Sequence, residues 1–187
     1  TYISVKNLTD TYNWFYGGPF FTNGWSDWMH WNKTDEQGNN SANAWNSTAP
    51  TASVFSVGST YNSISSKDYI AYCWRSVEGY SKVGSYEGNG NVDGTFIYTG
   101  FRPAYFLIKN IDSANGWFIM DDKRNTYNVL DKSLDVQDNA AEGDEDQLDF
   151  LSNGVKLRTT SGGRNTSGDS YIYLAFAESP FKTANAR

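Results

Sequence analysis

The chain has a single cysteine, Cys73, so no disulfide can form within it and no thiolate cluster can hold a metal. It has a single histidine, His30, so its residues spell out neither a zinc ligand set nor a Ser-His-Asp arrangement. Basic residues are scattered and outnumbered, 15 against 21 acidic, for a net charge of −6. A protein that grips phosphates needs a basic cluster, and no nucleic acid is expected as a partner. Long apolar runs are missing too. None approaches the roughly 20 residues of a membrane-spanning helix, and acidity gives no attraction to an anionic lipid surface, so no membrane insertion is expected. Helical periodicity is scarce: no stretch keeps a 3.6-residue apolar repeat for three turns, and 126–134 offers one or two at most.

What the chain has is aromatic residues, 17% of 187, within a hydrophobic fraction of 39% that suffices for one or two buried cores. Short runs of Tyr, Ile, Val, Phe and Trp alternate with clusters of Gly, Asn, Ser, Asp and Thr, which is how strands and turns are written. Strands are predicted at 2–7, 13–16, 53–57, 69–74, 81–87, 94–98, 105–109, 116–120, 148–150, 154–158 and 171–177. In 69–74, YIAYCW, bulk on both sides of the alternation predicts a strand buried on both faces, with Cys73 a small buried hydrophobe.

The strongest internal signal is a duplication. YISVKNLTDTYNWF at 2–15 aligns without a gap with YFLIKNIDSANGWF at 105–118, matching Tyr2/Tyr105, Lys6/Lys109, Asn7/Asn110, Trp14/Trp117 and Phe15/Phe118. YIAYCW at 69–74 meets YIYLAF at 171–176, and with a two-residue insertion at Arg75 and Ser76 the matches extend to Glu78/Glu178 and Lys82/Lys182. VFSVG at 54–58 sits where VKLRT sits at 155–159. A period of about a hundred residues is too long for a solenoid and fits one sandwich-sized domain per copy. The expected fold is therefore all-β: two tandem antiparallel β-sandwich repeats of jelly-roll type, the first over 1–90 and the second over 91–187. The second copy has 91–104 ahead of YFLIKN, and the first has no counterpart to it, so the chain is expected to be part of a longer polypeptide that starts within a repeat.

Residues able to carry chemistry are few. Asp135, Asp138, Glu142, Asp144, Glu145 and Asp146 lack the ligand spacing of a calcium loop and read as a solvated loop. Asp121 and Asp122 read as a turn after a strand rather than half of a glycosidase acid pair. The glycines of 84–94 have no Lys-Ser/Thr after them and mark the junction between copies rather than a phosphate loop. Sequons fall at Asn7, Asn32, Asn39, Asn46 and Asn165, easily produced by chance in such a composition. The segment from Trp14 to Trp45 is different, because it combines five tryptophans with many Asn, Ser and Thr. Indole faces stack on sugar rings while amides hydrogen-bond to hydroxyls, so this is the candidate glycan surface. Trp14 has a twin in Trp117 and reads as core. Trp25, Trp28, Trp31 and Trp45 have no twins and are candidates for a surface role, and Trp25, Trp28 and Trp31, with Asn23 and Asp27, are the candidate glycan-binding residues.

The phrases VEGYSK (77–82), GSYEGNG (84–90), TGFRPA (99–104) and AFAESPFK (175–182), with WNSTAPTASVFSVG at 45–58, resemble a family of repeat-bearing structural proteins of tailed bacteriophages, particularly marine and cyanobacterial ones. The resemblance runs from Tyr2 to Arg187 and is poorest in 17–43 and 134–147. It implies a virion-surface component, the C-terminal part of a tail fibre, tail appendage or head fibre, with a concanavalin-like or laminin G-like sandwich. It carries no catalytic motif and no cofactor, so no enzyme activity is expected. Implied partners are other copies of the chain, with a trimer the common fibre state, other virion proteins and host-surface polysaccharide. Two other readings compete: an architectural capsid-decoration or head-fibre spacer whose aromatics pack between subunits, and a polysaccharide depolymerase, which would need an acid pair.

Overall fold

The computed structural model describes residues 1–39, 43–59, 62–144 and 148–181. Glu145, Asp146 and Lys182, singled out above, lie outside them. The described residues are all-β apart from a 3-10 turn at Gly24–Ser26, and their strands pair antiparallel in three sheets. The chain divides into two compact units, Thr1–Trp74 and Arg75–Arg187.

The first unit has one five-stranded sheet. Its strands are β1 (Tyr2–Asn7), β2 (Phe15–Gly17), β3 (Asp27–His30), β4 (Gly38–Asn39) and β5 (Tyr69–Trp74), ordered β4-β3-β2-β1-β5. Alternation sends Ile3, Val5 and Phe15 to one face, where they form a core with Trp25, Ala44 and Trp45. Trp45 is fully buried, and its indole lies over Gly17 so closely that a Cβ there would stand 2.2 Å from Nε1. Trp25, 8% exposed, meets Trp45 edge-on at 5.8 Å, so both indoles expected at the surface are interior. A large ring buries more apolar area than any neighbour in this polar segment, and the core takes it.

Two expectations fail in this unit for one reason. Among the described residues β5 is an edge strand, paired to β1 alone, and Ala71, Tyr72 and Cys73 are exposed; the strand is not buried on both faces and Cys73 is not a core residue. Residues 53–57 form no strand, and Val54 is 63% exposed. Both segments carry a β pattern, but a strand is completed by its neighbours, and here the described residues supply too few.

The second unit has two sheets. Strands β6 (Ser81–Glu87), β8 (Pro103–Asn110), β9 (Trp117–Asp121), β10 (Leu134–Asp135) and β13 (Ser170–Ala177) form the order β10-β9-β8-β13-β6. Strands β7 (Phe96–Tyr98), β11 (Leu148–Leu151) and β12 (Gly154–Leu157) form β11-β12-β7. The two sheets share one core, with Phe106, Ile108, Met120, Tyr173 and Ala175 from the larger and Ile97, Leu148, Phe150, Val155 and Leu157 from the smaller, which gives this unit sandwich character. No helix forms at 126–134. The side chains of Asn125 and Asn128 instead take up backbone groups, Asn125 Oδ1 accepting from Lys132 N at 2.9 Å and Asn128 Oδ1 from Phe150 N at 2.9 Å. Asp138, Glu142 and Asp144 of the acidic stretch are exposed, with Glu142 paired to Lys132 at 2.8 Å and Arg124 at 3.2 Å, while Asp135 is half-buried in a short strand. Asp121 closes a turn, its Oδ1 accepting from Lys123 N at 3.0 Å and Arg124 N at 2.9 Å.

The sequence match between the units is matched by hydrogen bonding. β1 pairs β5 with Tyr2↔Trp74 and Asn7↔Tyr69, and β8 pairs β13 with the corresponding Tyr105↔Phe176 and Asn110↔Tyr171. Asn7 Oδ1 accepts from the backbone N–H groups of Thr9 and Asp10 at 2.8 and 2.9 Å; Asn110 Oδ1 accepts from Asp112 and Ser113 at 2.9 and 3.0 Å. Their Nδ2 groups donate to Tyr69 Oη and Tyr171 Oη, which in turn accept from Ile64 N and Thr166 N at 2.8 Å each. Lys6 and Lys109 donate to the equivalent carbonyls of Tyr12 and Asn115. The KN pair repeats because each lysine and asparagine ties a strand end to the turn after it. Asn165 is also fully buried, donating to Thr159 O at 2.7 Å and Asn91 O at 2.9 Å, so the sequons at Asn7 and Asn165 are interior.

Candidate functional site

The three candidate tryptophans go three ways. Trp25 joins the core. Trp31 packs against Tyr16 at 5.0 Å and Trp74 at 5.7 Å, on the sheet face opposite Phe15. Trp28 lies on the Phe15 face, edge-on to Phe15 at 5.8 Å and tilted against His30 at 5.1 Å. Asn23 and Asp27 are brought together but for the backbone: the buried Asp27 carboxylate accepts from Asn23 N at 2.8 Å and Nδ2 at 3.1 Å. That pair clasps the 3-10 turn, whose Gly24 has a φ of 56° that favours glycine.

Around Trp28 the first unit opens a pocket of about 570 Å³, lined by Tyr12, Asn13, Phe15, Trp28, His30 and Lys33, with Asn43 at its margin. The sheet builds it. Phe15 pairs directly with His30, and β3 alternation sets Trp28 beside His30 on the same face. The short strand β4 supports the indole from behind, where a Cβ on Gly38 would sit 3.2 Å from the Trp28 ring. Asn13 is held by Asn32, whose Nδ2 donates to Asn13 Oδ1 at 2.9 Å while its own Oδ1 accepts from Trp14 N at 3.0 Å.

His30 is 7% exposed, and burial lowers its pKa below the ordinary histidine value despite the opposing pull of Asp35. Its Nδ1 lies 3.0 Å from Asp35 Oδ2, and Lys33 Nζ lies 3.9 Å from the same oxygen. In the neutral ring that contact makes Nδ1 the donor and leaves Nε2 as an acceptor. The pocket therefore offers flat aromatic walls, amide groups from Asn13 and Asn43, and one ammonium. Among the described residues no carboxylate lines it directly and no group of three or more His, Cys, Asp or Glu could hold a metal ion. Such a surface binds a neutral polar ring by stacking and hydrogen bonding.

Of the five candidate glycan-binding residues, the pocket contains Trp28 alone. Phe15 and His30 could have been added from alternation, since Trp28 and His30 share one parity and Met29 and Trp31 the other. Asn13 shares the parity of Phe15 in the strand predicted at 13–16, whereas Tyr12, Lys33 and Asn43 come from loops, where no periodicity marks them.

The chain belongs to the family described as Domain of unknown function (DUF7483), whose model matches residues 1–180 and so spans both units. No curated protein and no solved structure matches it.

Proposed function

We propose that the chain is a non-enzymatic module of a bacteriophage virion, carried in the C-terminal part of a tail fibre or surface appendage, and that its first unit binds host-surface glycan in the Trp28 pocket. In this reading the units are concanavalin-like sandwich repeats of an oligomeric, commonly trimeric, fibre. The observation that carries it is the grouping of Trp28, Phe15 and Tyr12 with Asn13 and Asn43 in one pocket open to solvent. The resemblance to phage structural proteins supplies the context.

The test is calorimetric titration of the protein with surface polysaccharide from its host. Trp28→Ala is expected to weaken binding about tenfold, as loss of a stacking contact worth about 1.5 kcal/mol requires. Equal affinity in the variant refutes the site, and reducing ends released from the polysaccharide would replace binding with depolymerisation. One observation favours the architectural reading: Phe96 and Tyr98, on β7, are 43% and 62% exposed, and Tyr127 is 82% exposed. Aromatics so placed suit a subunit contact. That reading predicts their burial on assembly and no affinity for polysaccharide.

A further inference from the structure

Equivalent residues of the two units differ in burial at two places. Cys73 on β5 is exposed, whereas its counterpart Ala175 on β13 is fully buried. Val54 is 63% exposed, whereas its counterpart Val155 on β12 is fully buried. In the second unit the neighbours that complete these positions are known. β13 pairs β6 over Ser170↔Glu87 to Phe176↔Ser81, and β12 pairs β7 over Gly154↔Tyr98 to Lys156↔Phe96. Both neighbours come from one contiguous stretch, residues 81–98, that enters β8 directly. Among the described residues of the first unit no strand pairs with the outer edge of β5 or with 53–57.

The space beside these open positions is shaped for occupation. A groove of about 490 Å³ lies beside β5, lined by Val5, Phe55, Val57, Ile64, Tyr69 and Ala71 together with the polar Asn62, Ser63 and Lys67. Ala71 corresponds to Tyr173, whose ring in the second unit stacks on Phe106 and covers Gly84 of β6. The smaller residue in the first unit leaves room for a side chain arriving from the neighbouring strand. An edge strand with an apolar groove beneath it is a template for strand addition, in which backbone pairing gives affinity and the groove gives selectivity.

We propose that the β5 edge and this groove are the docking site for a strand pair of the 81–98 pattern, belonging to a further copy of the repeat in the same polypeptide and joined to β1 as 81–98 is joined to β8. One added strand extends the sheet past β5, and the other pairs with 53–57. This inference is independent of the glycan reading, since the groove and the Trp28 pocket share no lining residue.

The experiment extends the 187-residue chain at its amino end with a second copy of residues 75–102. The readout is the rate at which Cys73, the only cysteine, reacts with a thiol reagent, together with deuterium exchange of the β5 amides. The extension is expected to slow Cys73 labelling by about tenfold or more and to protect β5 in a monomeric protein. Lys82→Pro in the added copy alone, which removes a ladder donor because Ser81 and Val83 on either side turn their N–H groups outward to Val77 O and Ser76 Oγ, is expected to restore fast labelling. Unchanged labelling on extension overturns the proposal, as does equal protection by the proline-bearing copy. Concentration-dependent protection of the unextended chain also overturns it, because the occupant is then a second molecule.

Discussion

Replacing Asn110 by alanine tests the device that both units repeat at the start of the turn after β1 and β8. Asn110 is fully buried and makes five hydrogen bonds: Oδ1 accepts from Asp112 N and Ser113 N, and Nδ2 donates to Gly162 O at 3.0 Å, Asp169 Oδ2 at 2.8 Å and Tyr171 Oη at 3.2 Å. The three acceptors keep other donors, since Tyr171 Oη still reaches Gly162 O at 2.9 Å, Ser113 Oγ reaches Asp169 Oδ2 at 3.2 Å, and Thr166 N reaches Tyr171 Oη at 2.8 Å. The cost therefore falls on the two backbone N–H groups, at about 1 kcal/mol each because Asp112 is exposed and Ser113 half-buried, plus about 1 kcal/mol for the vacated volume. Urea unfolding followed by far-ultraviolet circular dichroism should show a loss of about 2–3 kcal/mol. Asn7→Ala should cost less, because its Nδ2 contacts with Tyr69 Oη and Asp10 Oδ2 are both 3.3 Å. A loss below about 0.5 kcal/mol for Asn110→Ala, where ordinary surface substitutions fall, would refute the view that this corner is a folding element.

Gly17→Ala drives a methyl into the fully buried Trp45 indole and is expected to cost about 1–3 kcal/mol by overpacking, read as a lowered midpoint in the same urea titration. The His30 pKa is lowered in the folded protein, so the unfolded chain binds the proton more readily and stability rises with pH across the interval up to the ordinary value of about 6.5. Stability is then full above that value and falls as pH drops below it; His30→Gln should flatten this acid-side slope in thermal melts, and an unchanged slope would remove His30 as its source. Binding depends on the same proton: protonation makes Nε2 a donor instead of an acceptor, so glycan affinity should change as the pH falls below the ordinary histidine value in the native protein and not in His30→Gln.

Much of the fold was legible because its longer strands alternate clearly between turn residues. Tyr2–Asn7, Tyr69–Trp74 and Ser81–Glu87 were bounded correctly by alternation and turn residues alone. β3, β4 and β10 were not, being two to four residues long, too short for a period to register. The errors at Cys73, at 53–57 and at 126–134 share a cause in that neighbours settled them: a strand pattern stays unpaired without a partner, and Asn128 bonded to Phe150 across 22 residues instead of propagating a helix. At the site, tryptophan count was a poor guide and parity a better one. Trp25, Trp28 and Trp31 are spaced by three residues each, yet the turn at Gly24–Ser26 and the pleat of β3 send each to a different environment.

The most direct test of glycan binding is an NMR titration of the native protein with fragments of host-surface polysaccharide, following the indole N–H signals of its 7 tryptophans and the ring of His30. The account predicts saturable shifts of Trp28 and His30, with the interior Trp25 and Trp45 unmoved. Shifts absent from Trp28 and His30, or confined to the Phe96 and Tyr98 surface, would contradict it.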